Sequence, residues 1–167
     1  MSAVPKVLIL MGSDSDLPVM RDAVEVLREY DVTVSVRVLS VHRCPTEALR
    51  VASEAESEGF RVLIAAAGHA AHLAGAVASQ TVLPVIGVPI ESGPMRGMDA
   101  LHSTVMMPPG VPVGTMAIGG ARNAAIFALE ILGTSDDALR ARLHEYKKGL
   151  AAKVLAKDSK VQEELSR

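Results

Sequence analysis

Short apolar runs alternate with helix-period segments along most of the chain, and this limits the fold more than any other feature. Residues 7–11, VLILM, are continuously apolar and stop at Gly12-Ser13, as a strand buried on both faces would. Ser15 then reads as a helix cap, with Asp16 and Pro18 in the first turn. Met20, Ala23, Val24 and Leu27 follow at helical spacing. Residues 32–39 are β-branched and partly alternating, a second strand. Pro45 opens a second helix with Ala48, Val51, Ala52 and Ala55 on one face, and Gly59 closes it. Residues 62–67, 85–88 and 113–118 supply three further strands. A small-residue helix runs from Gly68 to about Ser79, another spans 99–105, and a third leads from Gly119-Gly120 to about Leu132. Strands that alternate with helices predict an α/β fold, a parallel sheet with right-handed crossovers.

The rest of the composition agrees with helices layered closely on a sheet. Nearly half of the 167 residues are apolar, yet Trp is absent and Phe and Tyr number two each. The core is therefore Val, Ile, Leu, Ala and Met. A formal charge of −2 gives no basic surface, and stacking platforms are missing, which argues against nucleic acid as a partner. One cysteine, Cys44, rules out an internal disulfide and suits a reducing compartment. The first apolar run ends at a Gly-Ser-Asp turn without a cleavage pattern, and no stretch approaches the roughly 20 apolar residues that span a bilayer. The expectation is a cytoplasmic protein with no membrane partner.

A single domain over residues 1–167 is expected, with a core of 1–133 and a helical extension of 134–167. In the extension Leu139, Leu143, Tyr146, Leu150 and Val154 form a narrow stripe on an otherwise charged helix. The stripe either packs on its own sheet or lies against a neighbouring subunit. Five other helices already cover much of the sheet, and the loop of residues 90–112 is rich in Pro, Gly and Met. Both features favour self-association.

Ligands of open parallel sheets bind beyond the carboxyl ends of the strands, where the winding reverses. Three polar loops occupy that position: GSDSD after the first strand, SVHRCP after the second and AGHAAHL after the third. They become neighbours if the first strand lies between the second and third, as flavodoxin-like order requires. Gly12, Ser13 and Asp16 offer N–H groups, a hydroxyl and a carboxylate at a helix start, suited to phosphate and to sugar hydroxyls. The same residues also read as a turn with a helix cap, and no Walker or Rossmann fingerprint is present. In the second loop His42 is the one group that ordinarily titrates close to neutrality. Arg43 supplies a planar fork for phosphate or carboxylate, and Ser40 supports the turn. Cys44 is either a nucleophile based by His42 or a small buried thiol, and the second reading is preferred. His69 and His72 lie at i, i+3 and share a helix face if the helix begins early. That spacing permits metal, but no carboxylate or Cys set completes a site, so no metal is expected. Gly68 can turn an N–H toward a phosphate. His144 reads as solvent-facing.

The motifs MGSDSD, SVHRCP and AGHAAHL, in that order, resemble the catalytic subunit of phosphoribosylaminoimidazole carboxylase, a purine-biosynthetic family. The likeness continues through LPVIGVPI, GMDALHSTVMMPPGVPVGTMAIG and NAAIFALEIL, and covers about residues 5 to 133. It implies a three-layer flavodoxin-like, doubly wound sheet with an extended C-terminal helix, assembled as an octamer. It implies N5-carboxyaminoimidazole ribonucleotide mutase activity, which moves a carboxylate from the exocyclic nitrogen to ring carbon four, with no metal or organic cofactor. By resemblance His42 is the catalytic histidine, Ser13 and Asp16 bind substrate and Arg43 binds phosphate. Gly68 with Ala71, His72 and Leu73 forms the loop that closes over the substrate. Ala66, Ala67 and Ala71 would help line a pocket for carbon dioxide. His69, where the mutase class commonly has glycine, and Arg122 depart from the pattern, whereas His72 follows it. The second class, which carboxylates aminoimidazole ribonucleotide directly with carbon dioxide, therefore stays open. So does a non-catalytic nucleotide-binding module on the same fold. A flavin carrier is disfavoured by the scarcity of aromatic residues.

Overall fold

The computed structural model describes residues 6–166. Two compact units divide within a helix, one ending at Ala128 and the other beginning at Leu129.

In the first unit, β1 (Lys6–Met11), β2 (Thr33–Val38), β3 (Phe60–Ala67), β4 (Val85–Pro89) and β5 (Gly114–Thr115) form one parallel sheet in the order β2-β1-β3-β4-β5. This is the flavodoxin-like order, with β1 between β2 and β3. The helices are α1 (Leu17–Glu29), α2 (Pro45–Glu54), α3 (Leu73–Ala78), α4 (Met98–Val105) and α5 (Ala121–Gly133). The strand period sends alternate side chains to opposite faces. Leu8, Leu10, Leu63 and Ala65 join Ala48, Val51, Ala52 and Ala55 around α2, and Leu73, Ala74 and Val77 of α3, in one buried cluster. Val7, Ile9 and Met11 point the other way and are also buried, as are Met20, Ala23, Val26 and Leu27 of α1. Burial on both faces is why the inner strands β1, β3 and β4 read as apolar runs.

Close layers require small residues at the crossings. A Cβ on Gly87 of β4 would collide with Thr104 Cγ2 and approach Val113 Cγ1 to 3.0 Å and Ala74 Cβ to 3.3 Å. Gly87→Val should therefore lower the unfolding free energy by about 1–3 kcal/mol through overpacking. A urea midpoint equal to that of the wild type would show that the layers have slack there.

Three elements differ from the sequence reading. Ser13, not Ser15, is the cap: it begins a 3₁₀ turn (Asp14–Asp16) as half of a capping box with Asp16. β5 is two residues rather than six, because beyond Thr115 only isolated bonds tie the chain to β4, from Met116 N to Gly87 O and from Gly119 N to Pro89 O at 2.9 Å. α3 starts at Leu73 rather than near Gly68, because His69 is left-handed (φ 51°) and cannot join a right-handed helix.

In the second unit, α6 (Asp137–Leu165) is capped by Asp136, whose carboxylate accepts from Leu139 N at 2.9 Å. Arg140 donates to the carbonyl of Gly133 at 2.9 Å, and Lys147 pairs with Glu130 at 3.0 Å. The expected stripe on this helix divides: Leu139 and Leu143 are buried, whereas Leu150 and Val154 are exposed. His144 is exposed, as read from the sequence.

Candidate active site

Strand register decides what stands at the carboxyl edge of the sheet. Met11 lies beside Val38 on one side and Ala66 on the other, and Ala66 beside Val88. The ladder continues one step further through Leu39 N to Met11 O, Gly12 N to Ala66 O and Ile90 N to Ala67 O, at 2.8–2.9 Å. The chain therefore leaves four strands at one height. A cavity of about 370 Å³ opens there, lined by Gly12, Ser13, Asp16, Ser40, His42, Arg43, Gly68, His69, His72 and Leu73.

Within the first loop Ser13 N donates to Asp16 Oδ2 at 3.0 Å, and Ser13 Oγ accepts from Ser15 N and Ser15 Oγ. Asp16 is buried, and burial pushes its carboxyl above the ordinary range. The N–H groups of Ser13 and Gly12 oppose that rise, and the charge of Asp14 adds to it. A carboxyl raised in the folded state binds its proton more tightly than in the unfolded chain. Stability is therefore lost as pH climbs from 3.8 through the raised value, and the loss is complete above it. Asp16→Asn should accordingly melt no lower than the wild type at pH 7, and its stability should depend less on pH from 3.8 upward. Thermal melts followed by circular dichroism test this. A lower melting temperature at pH 7 would mean that the carboxylate holds the loop together.

The second loop turns on Ser40, whose carbonyl accepts from Arg43 N at 3.1 Å and Cys44 N at 2.8 Å. The Cys44 thiol, half-buried against the core, donates to the same carbonyl at 3.2 Å. Arg43 is exposed and its guanidinium has no ion pair or hydrogen bond among the described residues. His42 meets His72 of the third loop: His42 Nε2 and His72 Nδ1 stand 2.8 Å apart, with the rings edge to face. One of these nitrogens carries the hydrogen and the other the lone pair. His72 is the N-terminal flanking residue of α3.

His69 does not share a helix face with His72, because its backbone is left-handed. A side chain in that conformation costs about 1–2 kcal/mol more than glycine. Its N–H donates to Ser92 Oγ at 2.8 Å, and its Nδ1 lies 4.0 Å from Asp99 Oδ2. Gly68 has no room for a side chain: a Cβ would clash with the Ser92 side chain and meet Ile90 O at 3.3 Å. Ala71 is buried and stands outside the lining, as does Ala66, while Ala67 is in it. No group of three or more His, Cys, Asp and Glu side chains among the described residues is arranged to hold a metal.

A family model described as AIR carboxylase matches residues 6–153. The chain belongs to that family. It is 51% identical to an N5-carboxyaminoimidazole ribonucleotide mutase of Mycobacterium leprae, over 97% of this chain and 95% of that protein. A protein of the same name from Pyrococcus horikoshii is 49% identical over 97% of this chain and 92% of its own. Among solved structures, a Treponema denticola PurE superposes with a TM-score of 0.85 at 27% identity, covering 93% of this chain and 98% of that one.

In this family member the lining also includes Ser15, Val41, Ala70 and Ser92. Ser15, Val41 and Ala70 lie inside the polar loops already singled out. Ser92 comes after β4, at another strand end where ligands of such sheets gather. The sequence shows only one small polar residue in a Pro- and Gly-rich stretch, which carries little signal by itself.

Proposed function

We propose that the chain is an N5-carboxyaminoimidazole ribonucleotide mutase of purine biosynthesis, an isomerase that needs neither metal nor organic cofactor. The observation that carries this is the near full-length similarity to proteins of that name, at about half identity. The site is suited to the chemistry. Loss of carbon dioxide from the exocyclic nitrogen requires a proton there, and protonated His42 gives it. The freed aminoimidazole attacks carbon dioxide through ring carbon four, forming a carbon–carbon bond and leaving one hydrogen too many on that carbon. Neutral His42 removes it and returns to its starting state, so protons balance over the cycle. His72, whose nitrogen shares a hydrogen with His42, orients that ring. Arg43 holds the 5′-phosphate, with the Ser13 hydroxyl and the N–H of Gly68 beside it, whereas the Gly12 N–H is already taken by Ala66 O. Asp16 and Ser40 orient the ribose. His69 and Leu73 line the closing loop, and buried Ala71 sets its path. Ala67 and Leu73 give the lining an apolar portion that suits carbon dioxide held away from water.

A second reading, direct carboxylation of aminoimidazole ribonucleotide, is kept because the family description names a carboxylase. The purified protein should convert the N-carboxylated nucleotide without added bicarbonate. Activity only with aminoimidazole ribonucleotide and carbon dioxide would transfer the assignment to that reading.

The octamer implied by the family belongs to the same proposal. Exposed Leu150, Val154, Leu155, Val161 and Leu165 on α6 support association, as do exposed Met95, Met98, Val105 and Met106 about α4. Light scattering that returns the mass of one chain would overturn it. A cytoplasmic location suits a lone free thiol, and no described helix is long and apolar enough to cross a membrane.

A further inference from the structure

We propose that His69 is a positioning residue. Its ring straps the loop between β3 and α3 to the segment between β4 and α4, and so holds His72 against His42. The inference rests on the mutase reading for its effect on turnover, but the strap itself is a statement about geometry.

Three contacts of His69 reach the chain beyond β4, two in the segment before α4 and one in the first turn of α4. The backbone N–H donates to Ser92 Oγ at 2.8 Å. The ring lies over Gly93, where a Cβ would come within 2.6 Å of Cε1 and 3.0 Å of Nδ1. Nδ1 also stands 4.0 Å from Asp99 Oδ2, a carboxylate whose other oxygen accepts from Ala100 N at 3.0 Å and is thereby fixed. Glycine would adopt the left-handed backbone of residue 69 without strain, so the conformation itself calls for no side chain. An imidazole kept in a disfavoured conformation, with its ring directed at Gly93 and at the start of α4, points to a use for the ring.

The strap can act only on residues close to it along the chain. Two residues separate His69 from His72, and His72 N donates to Ala70 O at 2.8 Å in a tight turn. Ala71 between them is buried. Movement at residue 69 therefore passes to His72 with little slack. The His72 ring must meet a histidine carried by a different strand to within 2.8 Å.

The test uses two full-length variants. His69→Gly relieves the backbone and frees the loop, and His69→Asn keeps a residue that tolerates the left-handed region but has no ring. Circular dichroism checks that both fold. In both, kcat for the N-carboxylated nucleotide should fall by about ten- to hundredfold, and the imidazole ¹⁵N signals of His42 and His72 should move. Wild-type kcat in either variant overturns the strap, and so does a fall in kcat with those signals unmoved. If the wild type itself does not turn over the nucleotide while the signals still move in the variants, the strap stands and the mutase reading falls. If the wild type turns over and the variants match it in both measurements, the reverse holds.

Discussion

Replacing His42 by asparagine should leave nucleotide affinity close to that of the wild type while kcat falls by about 10²- to 10⁴-fold. Asparagine keeps a hydrogen-bonding end of similar reach, so contacts that only orient the substrate survive. It cannot take up or release a proton near neutral pH, and the proposed cycle needs one group that does both. His42 is exposed at the rim of the cavity, with Nε2 engaged by His72. Its substitution therefore disturbs no core contact, and a folding defect would not account for lost turnover. Steady-state rates and an equilibrium titration with the product nucleotide separate the two quantities. Turnover surviving within a few fold would remove His42 from the proton-transfer role and leave the cavity as a binding module.

Arg43→Ala should have the opposite signature, with KM for the nucleotide raised by roughly ten- to hundredfold and kcat changed much less. The Arg43 side chain stands exposed on the cavity lining without a protein partner among the described residues, so it is available to an anion. Its removal leaves no buried group stranded. The phosphate is remote from the reacting carbon, and binding there is felt equally in the ground and transition states. Arg43→Lys should restore only part of the loss, because an ammonium cannot reproduce the two parallel N–H bonds of the guanidinium fork. An unchanged KM in the alanine variant would place the phosphate elsewhere, with the N-terminal end of α1 the next region to test.

Much of this arrangement could be read in the chain. The strand read at residues 62–67 and the helix opened by Pro45 emerge because the first is a short unbroken apolar run and the second repeats its apolar residues at helical spacing. The three loops were recognisable because each is polar and comes directly after an apolar run. The two-residue β5 was less legible, since an apolar stretch reads as a longer strand whether its bonds to the neighbouring strand form a regular ladder or only isolated links. The late start of α3 was hidden for a related reason. Small residues from Gly68 onward are compatible with a helix, and only the left-handed backbone of His69 excludes them.

Strand–helix alternation, the aliphatic core and the chemical types available at the strand ends are all set by short stretches of the chain. These follow from local periodicity and from the reach of each side chain. Tertiary structure alone decided which of those side chains meet. His42 and His72 are thirty positions apart, and nothing in the order of letters places one nitrogen 2.8 Å from the other. That distance depends on β1 lying between β2 and β3, on their common register, and on the turn that carries the chain from His69 to His72. Contacts between separate loops are set by the packing of the sheet beneath them, which no short window of sequence contains.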